Sequence, residues 1–125
     1  MAPRTVLVVR HAQSAANVGQ RTRDPASIAI TDLGRAQAER LAASVGFAPT
    51  RIITSSFVRT HQTAEPLMLR FQQLVREEWN IHELTYLSPS RFVDSSPEER
   101  RPFVDEFWRA ADPHRVDGDG AESIA

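Results

Sequence analysis

Apolar and polar positions along the chain fall into blocks that fit strands and helices in turn. Residues 5–9, Thr-Val-Leu-Val-Val, form a β-branched and aliphatic run, the pattern of a strand buried on both faces of a parallel sheet. The run stops at Arg10-His11, and a polar, small-residue stretch follows through Asp24-Pro25. Thr31 is placed to cap a helix beginning at Asp32, whose charge favours the positive amino end. Ala38, Leu41, Ala42 and Val45 then make one apolar stripe at helical spacing, and Gly46 marks its stop. Residues 51–54 read as a second buried strand, and Ser55-Ser56 opens a second helix. Within it Ala64, Leu67, Met68 and Phe71 repeat the helical spacing, and Pro66 predicts a kink. Residues 78–84 fit a third strand. Ser96-Pro97-Glu98-Glu99 is a capping box with proline at the first helical position, and Phe103, Val104, Phe107, Trp108 and Ala111 form the face of the helix it starts. Asp117 to Gly120 is a loop, and residues 121–125 read as a further helix beginning. This order predicts a three-layer α/β/α architecture with a mostly parallel sheet.

The length of 125 residues fits one domain, residues 1–125, near the low end for an α/β enzyme. A hydrophobic share of 41% against 25% charged residues argues for a folded chain and against disorder. The net charge of −1 points to neither a nucleic-acid nor a membrane partner, so an anion site must come from local arginine placement. All the cationic residues are arginines, a bias that GC-rich coding explains as readily as function. With no cysteine, disulfides, thiolate metal sites and cysteine nucleophiles are excluded. The apolar run before Arg10 is too short for a signal peptide or a membrane span, so the expected address is the cytoplasm of a bacterium.

Ligands of open parallel sheets bind outside the carboxyl ends of the strands. The first strand ends at Arg10-His11, the second near Thr54-Ser55-Ser56 with Arg59 one helical turn on, and the third at His82-Glu83. One rim therefore receives a histidine, two arginines, hydroxyls and a carboxyl group. Arginine forks suit tetrahedral oxyanions, because several donors meet two oxygens at once. The constellation reads as a phosphate site. No serine sits in a nucleophile-elbow pattern, which argues against a serine hydrolase.

Val8-Val9-Arg10-His11-Ala12-Gln13-Ser14, with Asn17 following, resembles the signature of the histidine phosphatases, the phosphoglycerate mutase-like superfamily. The usual Arg-His-Gly-Glu-Ser/Thr pattern is varied at Ala12 and Gln13. The resemblance continues through residues 30–38 and 54–65, and Gly120-Ala121-Glu122-Ser123 is similar to a Gly-Glu-Ser element that opens a later helix in the family. It implies a phosphoglycerate mutase-like fold and a phosphatase acting through a phosphohistidine. His11 would be the nucleophile, Arg10 and Arg59 the phosphate clamp, Asn17 a further donor, and Glu83 the acid that protonates the leaving oxygen and later activates water. Taken alone, Asn17 is equally a turn cap and Glu83 a solvent-facing carboxylate. The resemblance implies no metal and no cofactor, and a small phosphorylated substrate. Residues 86–119 would be the specificity insertion, where Arg91, Arg100 and Arg101 are either surface groups or contacts to a charged substrate. The alternatives are a phosphoglycerate mutase, disfavoured by the lack of long insertions, and a non-catalytic phospho-ligand or protein-binding module. The family's second histidine lies beyond the Gly-Glu-Ser element, and neither His61, His82 nor His114 fits its place. The expectation is a fragment lacking the C-terminal part of the fold, with weak or no turnover by these residues alone.

Overall fold

The computed structural model describes residues 4–125; residues 1–3, the start of the lead into the first apolar run, lie outside them. The elements in order are α1 (Asp32–Ser44), β1 (Arg51–Thr54), α2 (Val58–Arg70), β2 (Val75–Glu78), a 3-10 turn at Pro89–Phe92 and α3 (Pro97–Ala110). Strands β1 and β2 pair in parallel, Arg51 opposite Val75 through Thr54 opposite Glu78, with α2 as the crossover. Parallel neighbours need such a connection, since a tight turn reverses the chain. Helix α1 packs on α2, and α2 also meets β1. The mixed α/β class with a parallel sheet is thus present. No helix among the described residues is long and apolar enough to cross a membrane.

Local signals place the helices well. The Thr31 hydroxyl accepts from the Gly34 backbone N–H at 3.0 Å, as the cap requires. Ala38, Ala42 and Val45 are buried along the stripe, so small side chains bring α1 close to α2. In α3 both bonds of the capping box form: Glu99 N–H to Ser96 Oγ at 3.2 Å and Ser96 N–H to Glu99 Oε2 at 3.0 Å. Helix α2 begins at Val58, after a turn in which Ser55 Oγ accepts from Phe57 N–H, and it continues through Pro66 to Arg70.

Non-local pairing departs from expectation. Residues 5–9 form no strand: Val6 and Val8 are 82% and 89% exposed, and among the described residues no hydrogen bond reaches this run. β-Branched composition favours extended backbone, but a strand also needs a free edge in register. Here β1 and β2 pair with each other, and among the described residues no hydrogen bond joins residues 5–9 to the outer edge of either strand. The third strand lies at Val75–Glu78, not 78–84, because the short connection from α2 sets the register and the strand is largely solvent-facing. Residues 121–125 are not helical; the Glu122 side chain instead bonds the Thr85 backbone. Of the predicted α3 face only Phe107 is buried. Trp108 lies half-exposed against Tyr86, and Arg91 stacks over the Phe103 ring at 3.9 Å.

Gly34 sits where α1 meets the segment after His11. A Cβ there would lie 2.3 Å from the Gln13 carbonyl oxygen and 3.0 Å from Ile30 Cβ. Alanine improves helix propensity by about 1 kcal/mol, but a clash with backbone costs about 2–3 kcal/mol. Gly34→Ala is therefore expected to destabilise the protein by about 1–2 kcal/mol net of propensity, read as a lower denaturant midpoint with unchanged slope. An equal or higher midpoint would show that the segment yields freely.

Candidate active site

The segment carrying His11 is held from two sides, not by a strand. Ala12 N–H donates to Thr63 Oγ1 of α2 at 2.9 Å. Residues 13–15 pair with 29–31: Thr31 N–H donates to the Gln13 carbonyl and Ala15 N–H to the Ala29 carbonyl, both at 2.9 Å. The His11 side chain is only 9% exposed, and its Nδ1 donates to the Ala12 carbonyl at 2.7 Å. That bond fixes the ring and turns Nε2 toward Glu83, whose Oε1 lies 3.0 Å away. With Nδ1 turned to the Ala12 carbonyl, Nε2 is the ring atom that faces the cavity and the Glu83 carboxyl group.

Arg59 occupies the first turn of α2 and is buried. Its Nη1 donates to the Pro25 carbonyl at 2.7 Å, its guanidinium lies 4.7 Å from the centre of the Phe57 ring, and Nη2 stands 3.4 Å from Glu83 Oε2. Glu83 therefore spans imidazole and guanidinium with its two oxygens, although its side chain is 63% exposed. His11, Asn17, Arg59 and Glu83 line one cavity of about 200 Å³. Asn17 Oδ1 accepts from the Ser14 N–H and Oγ at 2.9 and 3.0 Å, so it does cap a turn; its Nδ2 donors remain for a ligand. Arg10 is exposed and does not line the cavity. Tyr86, Leu87 and Phe92 form the apolar wall opposite, from the segment expected to set specificity.

Two arginines brace that segment, Arg91 within it and Arg100 against the rest of the protein. Arg91 forks onto Asp117 at 2.6 and 3.0 Å, and this hydrogen bond holds the Asp117 carboxyl below the usual range. Arg100 is buried, bonds Thr22 Oγ1 and the Ser95 carbonyl, and its guanidinium is pushed down by that burial. Both are thus structural groups and not free contacts for a charged substrate, while Arg101 is exposed. The other histidines are placed elsewhere: His61 meets the Ser55 carbonyl and Glu78, His82 meets Glu122, and His114 is exposed. Among the described residues no three His, Asp or Glu side chains gather as a metal-ligand set.

Sequence reasoning left Phe57, Thr63 and Glu122 without a role. Phe57 and Thr63 lie within residues 54–65, yet their contacts to Arg59 and Ala12 form only through the packing of α2. Glu122 accepts from Thr85 N–H at 2.7 Å and pairs with His82 at 3.0 Å. Those two bonds, the backbone one foremost, hold its carboxyl below the usual range.

An imidazole, a buried guanidinium and a carboxyl group line one cavity beside a parallel β-α-β unit, a set of groups suited to an oxyanion on an α/β scaffold. The chain belongs to the histidine phosphatase superfamily (branch 1), whose family profile matches residues 6–125. It is 39% identical over 87 residues to an 8-oxo-(d)GTP phosphatase of Mycolicibacterium smegmatis, an alignment covering 66% of this chain and 26% of that protein. It is similar to the solved structure of mycobacterial hydrolase 1, with TM-score 0.65, 25% identity and coverage of 90% of this chain and 53% of that one. The fold is also that of a mycobacterial glucosyl-3-phosphoglycerate phosphatase, with TM-score 0.63 and 24% identity over 90% of this chain and 53% of that one. The chain spans about half the length of these solved structures and about a quarter of the curated relative.

Proposed function

We propose that the protein hydrolyses phosphate monoesters of small molecules in two steps, through a phosphohistidine on His11. The observation that carries this reading is the placement of Glu83, 3.0 Å from His11 Nε2 and 3.4 Å from the buried Arg59 guanidinium. An acid within reach of both nucleophile and clamp is what leaving-group protonation needs. The likeness to a phosphatase at 39% identity supports hydrolysis over a mutase reaction.

In the first step the Nε2 lone pair forms the N–P bond and the ester P–O bond breaks. Glu83 delivers its proton to the departing oxygen. In the second step water attacks the phosphohistidine and the Glu83 carboxylate takes its proton. The N–P bond breaks with its electron pair returning to Nε2, and orthophosphate leaves. Arg59 stabilises the spreading charge on the phosphoryl oxygens, held ready by the Pro25 carbonyl and the Phe57 ring. Asn17 Nδ2 adds a donor. Arg10, the second guanidinium of this reading, has to turn inward from its exposed place beside His11. Residues 86–119 act as the specificity insertion, with Tyr86 and Phe92 facing the leaving group.

The test uses the full-length protein with an aryl phosphate, whose phenolate departs without a proton, and an alkyl phosphate, whose alkoxide needs one. Orthophosphate is released from the aryl ester, and Glu83→Gln lowers kcat on the alkyl ester by about 10²-fold but much less on the aryl ester. Release from neither ester would remove the enzyme reading and leave a phospho-ligand-binding module.

A further inference from the structure

Glu83 is an exposed side chain on irregular backbone, and among the described residues no hydrogen bond reaches the main chain of residues 82–84. Its carboxyl group meets His11 and Arg59 directly, but the backbone that presents it has to be held by other groups. The carboxylate of Glu122 grips both flanks of it. Its Oε1 lies 3.0 Å from His82 Nε2, the residue before Glu83. Its Oε2 accepts from Thr85 N–H at 2.7 Å, two residues after Glu83, and the Glu122 backbone N–H donates to the Thr85 carbonyl at 2.8 Å. The His82 ring in turn stacks on buried Phe57, with centroids 5.0 Å apart and an interplanar angle of 30°. Phe57 is also the ring beneath the Arg59 guanidinium. One carboxylate thus ties the segment bearing the acid to the start of the helix bearing the clamp, without itself lining the cavity.

We propose that Glu122 is a positioning residue that sets the placement of Glu83 against His11 and Arg59. The inference rests on the phosphatase reading of the site. Loss of the Glu122 carboxylate frees the residue 82–85 segment, and the acid then spends little time within proton-transfer reach. A displacement of about 1 Å costs on the order of 10²-fold in rate. The deficit falls on the step that needs the proton, not on phosphate binding.

The experiment compares kcat on the alkyl and aryl esters for the full-length protein and for Glu122→Ala, Glu122→Gln, His82→Gln and Glu83→Gln. The ratio of the two rates on one preparation is independent of how much of that preparation is folded. Glu122→Ala is expected to lower the alkyl-to-aryl ratio at least about tenfold with KM little moved, in the direction of Glu83→Gln. His82→Gln shifts it the same way but less. Glu122→Gln keeps an acceptor for Thr85 N–H, and its amide donates to His82 only once that ring holds its hydrogen on Nδ1, so it restores part of the ratio. Amide exchange at Thr85 speeds at least about tenfold in Glu122→Ala, as expected for a hydrogen bond lost from an irregular segment. A ratio that falls in Glu83→Gln but stays at the wild-type value in Glu122→Ala overturns the positioning role and leaves the phosphatase reading intact. A ratio insensitive to Glu83→Gln overturns both.

Discussion

Replacing His11 with alanine is expected to lower turnover by about 10⁴-fold or more and to abolish the covalent intermediate, since a lost nucleophile removes the whole two-step route. Three features of its setting make the imidazole hard to replace. The ring is nearly buried, its Nδ1 is committed to the Ala12 carbonyl, and its Nε2 is aimed at the Glu83 carboxyl group. A neighbouring water in His11→Ala has none of these constraints and must attack phosphorus directly. Binding survives better than rate, because Arg59 and Asn17 still line the cavity. The predicted pattern is a collapsed kcat with KM changed by only a few-fold, measured as orthophosphate released from an aryl phosphate. A variant retaining a tenth of wild-type kcat would assign the chemistry to another group.

Arg59→Ala carries the second largest expected loss, about 10³-fold in kcat, the scale of an arginine that stabilises a transferring phosphoryl group. The side chain also has structural duties. It is buried, satisfies the Pro25 carbonyl and covers the Phe57 ring, so its removal costs about 1–3 kcal/mol of stability as well. Arg59→Lys separates the two effects. A lysine ammonium keeps the charge but cannot bond the Pro25 carbonyl, lie over Phe57 and present a planar fork together. The expectation is partial recovery of folding with kcat still reduced by about 10²-fold or more. Thermal melting and steady-state kinetics on the same samples distinguish these outcomes, and full activity in Arg59→Lys would show that a point charge is enough.

The sequence was most informative where structure is local. Thr31 with Asp32, and Ser96 with Glu99, are caps whose partners lie within three residues, and both form as the spacing predicts. Strand pairing is different in kind. The run at residues 5–9 has the right composition for a central strand, yet pairing depends on an edge that no local pattern encodes. The polar residues of β2 hide a strand whose register comes from the crossover through α2. Within the site, His11 and Asn17 from the first block, Arg59 from the block at 54–65 and Glu83 from between the blocks come together around one cavity, while Arg10 stays outside it. Glu122 was visible as part of a motif, but its work depends on partners 40 and 37 residues away, His82 and Thr85. Separations of 26 and 78 residues likewise hid the pairing of Arg91 with Asp117 and of Arg100 with Thr22.

Trapping a covalent phosphoryl group on His11 tests the two-step route most simply. The full-length protein is mixed with a phosphate-labelled aryl ester, quenched in alkaline denaturant within the first turnovers, and digested for mass mapping. The account predicts one labelled peptide containing His11, with label stable to base, lost in acid and absent from His11→Ala. Rapid hydrolysis of the ester with no label on any histidine, or with label on a residue other than His11, would contradict it.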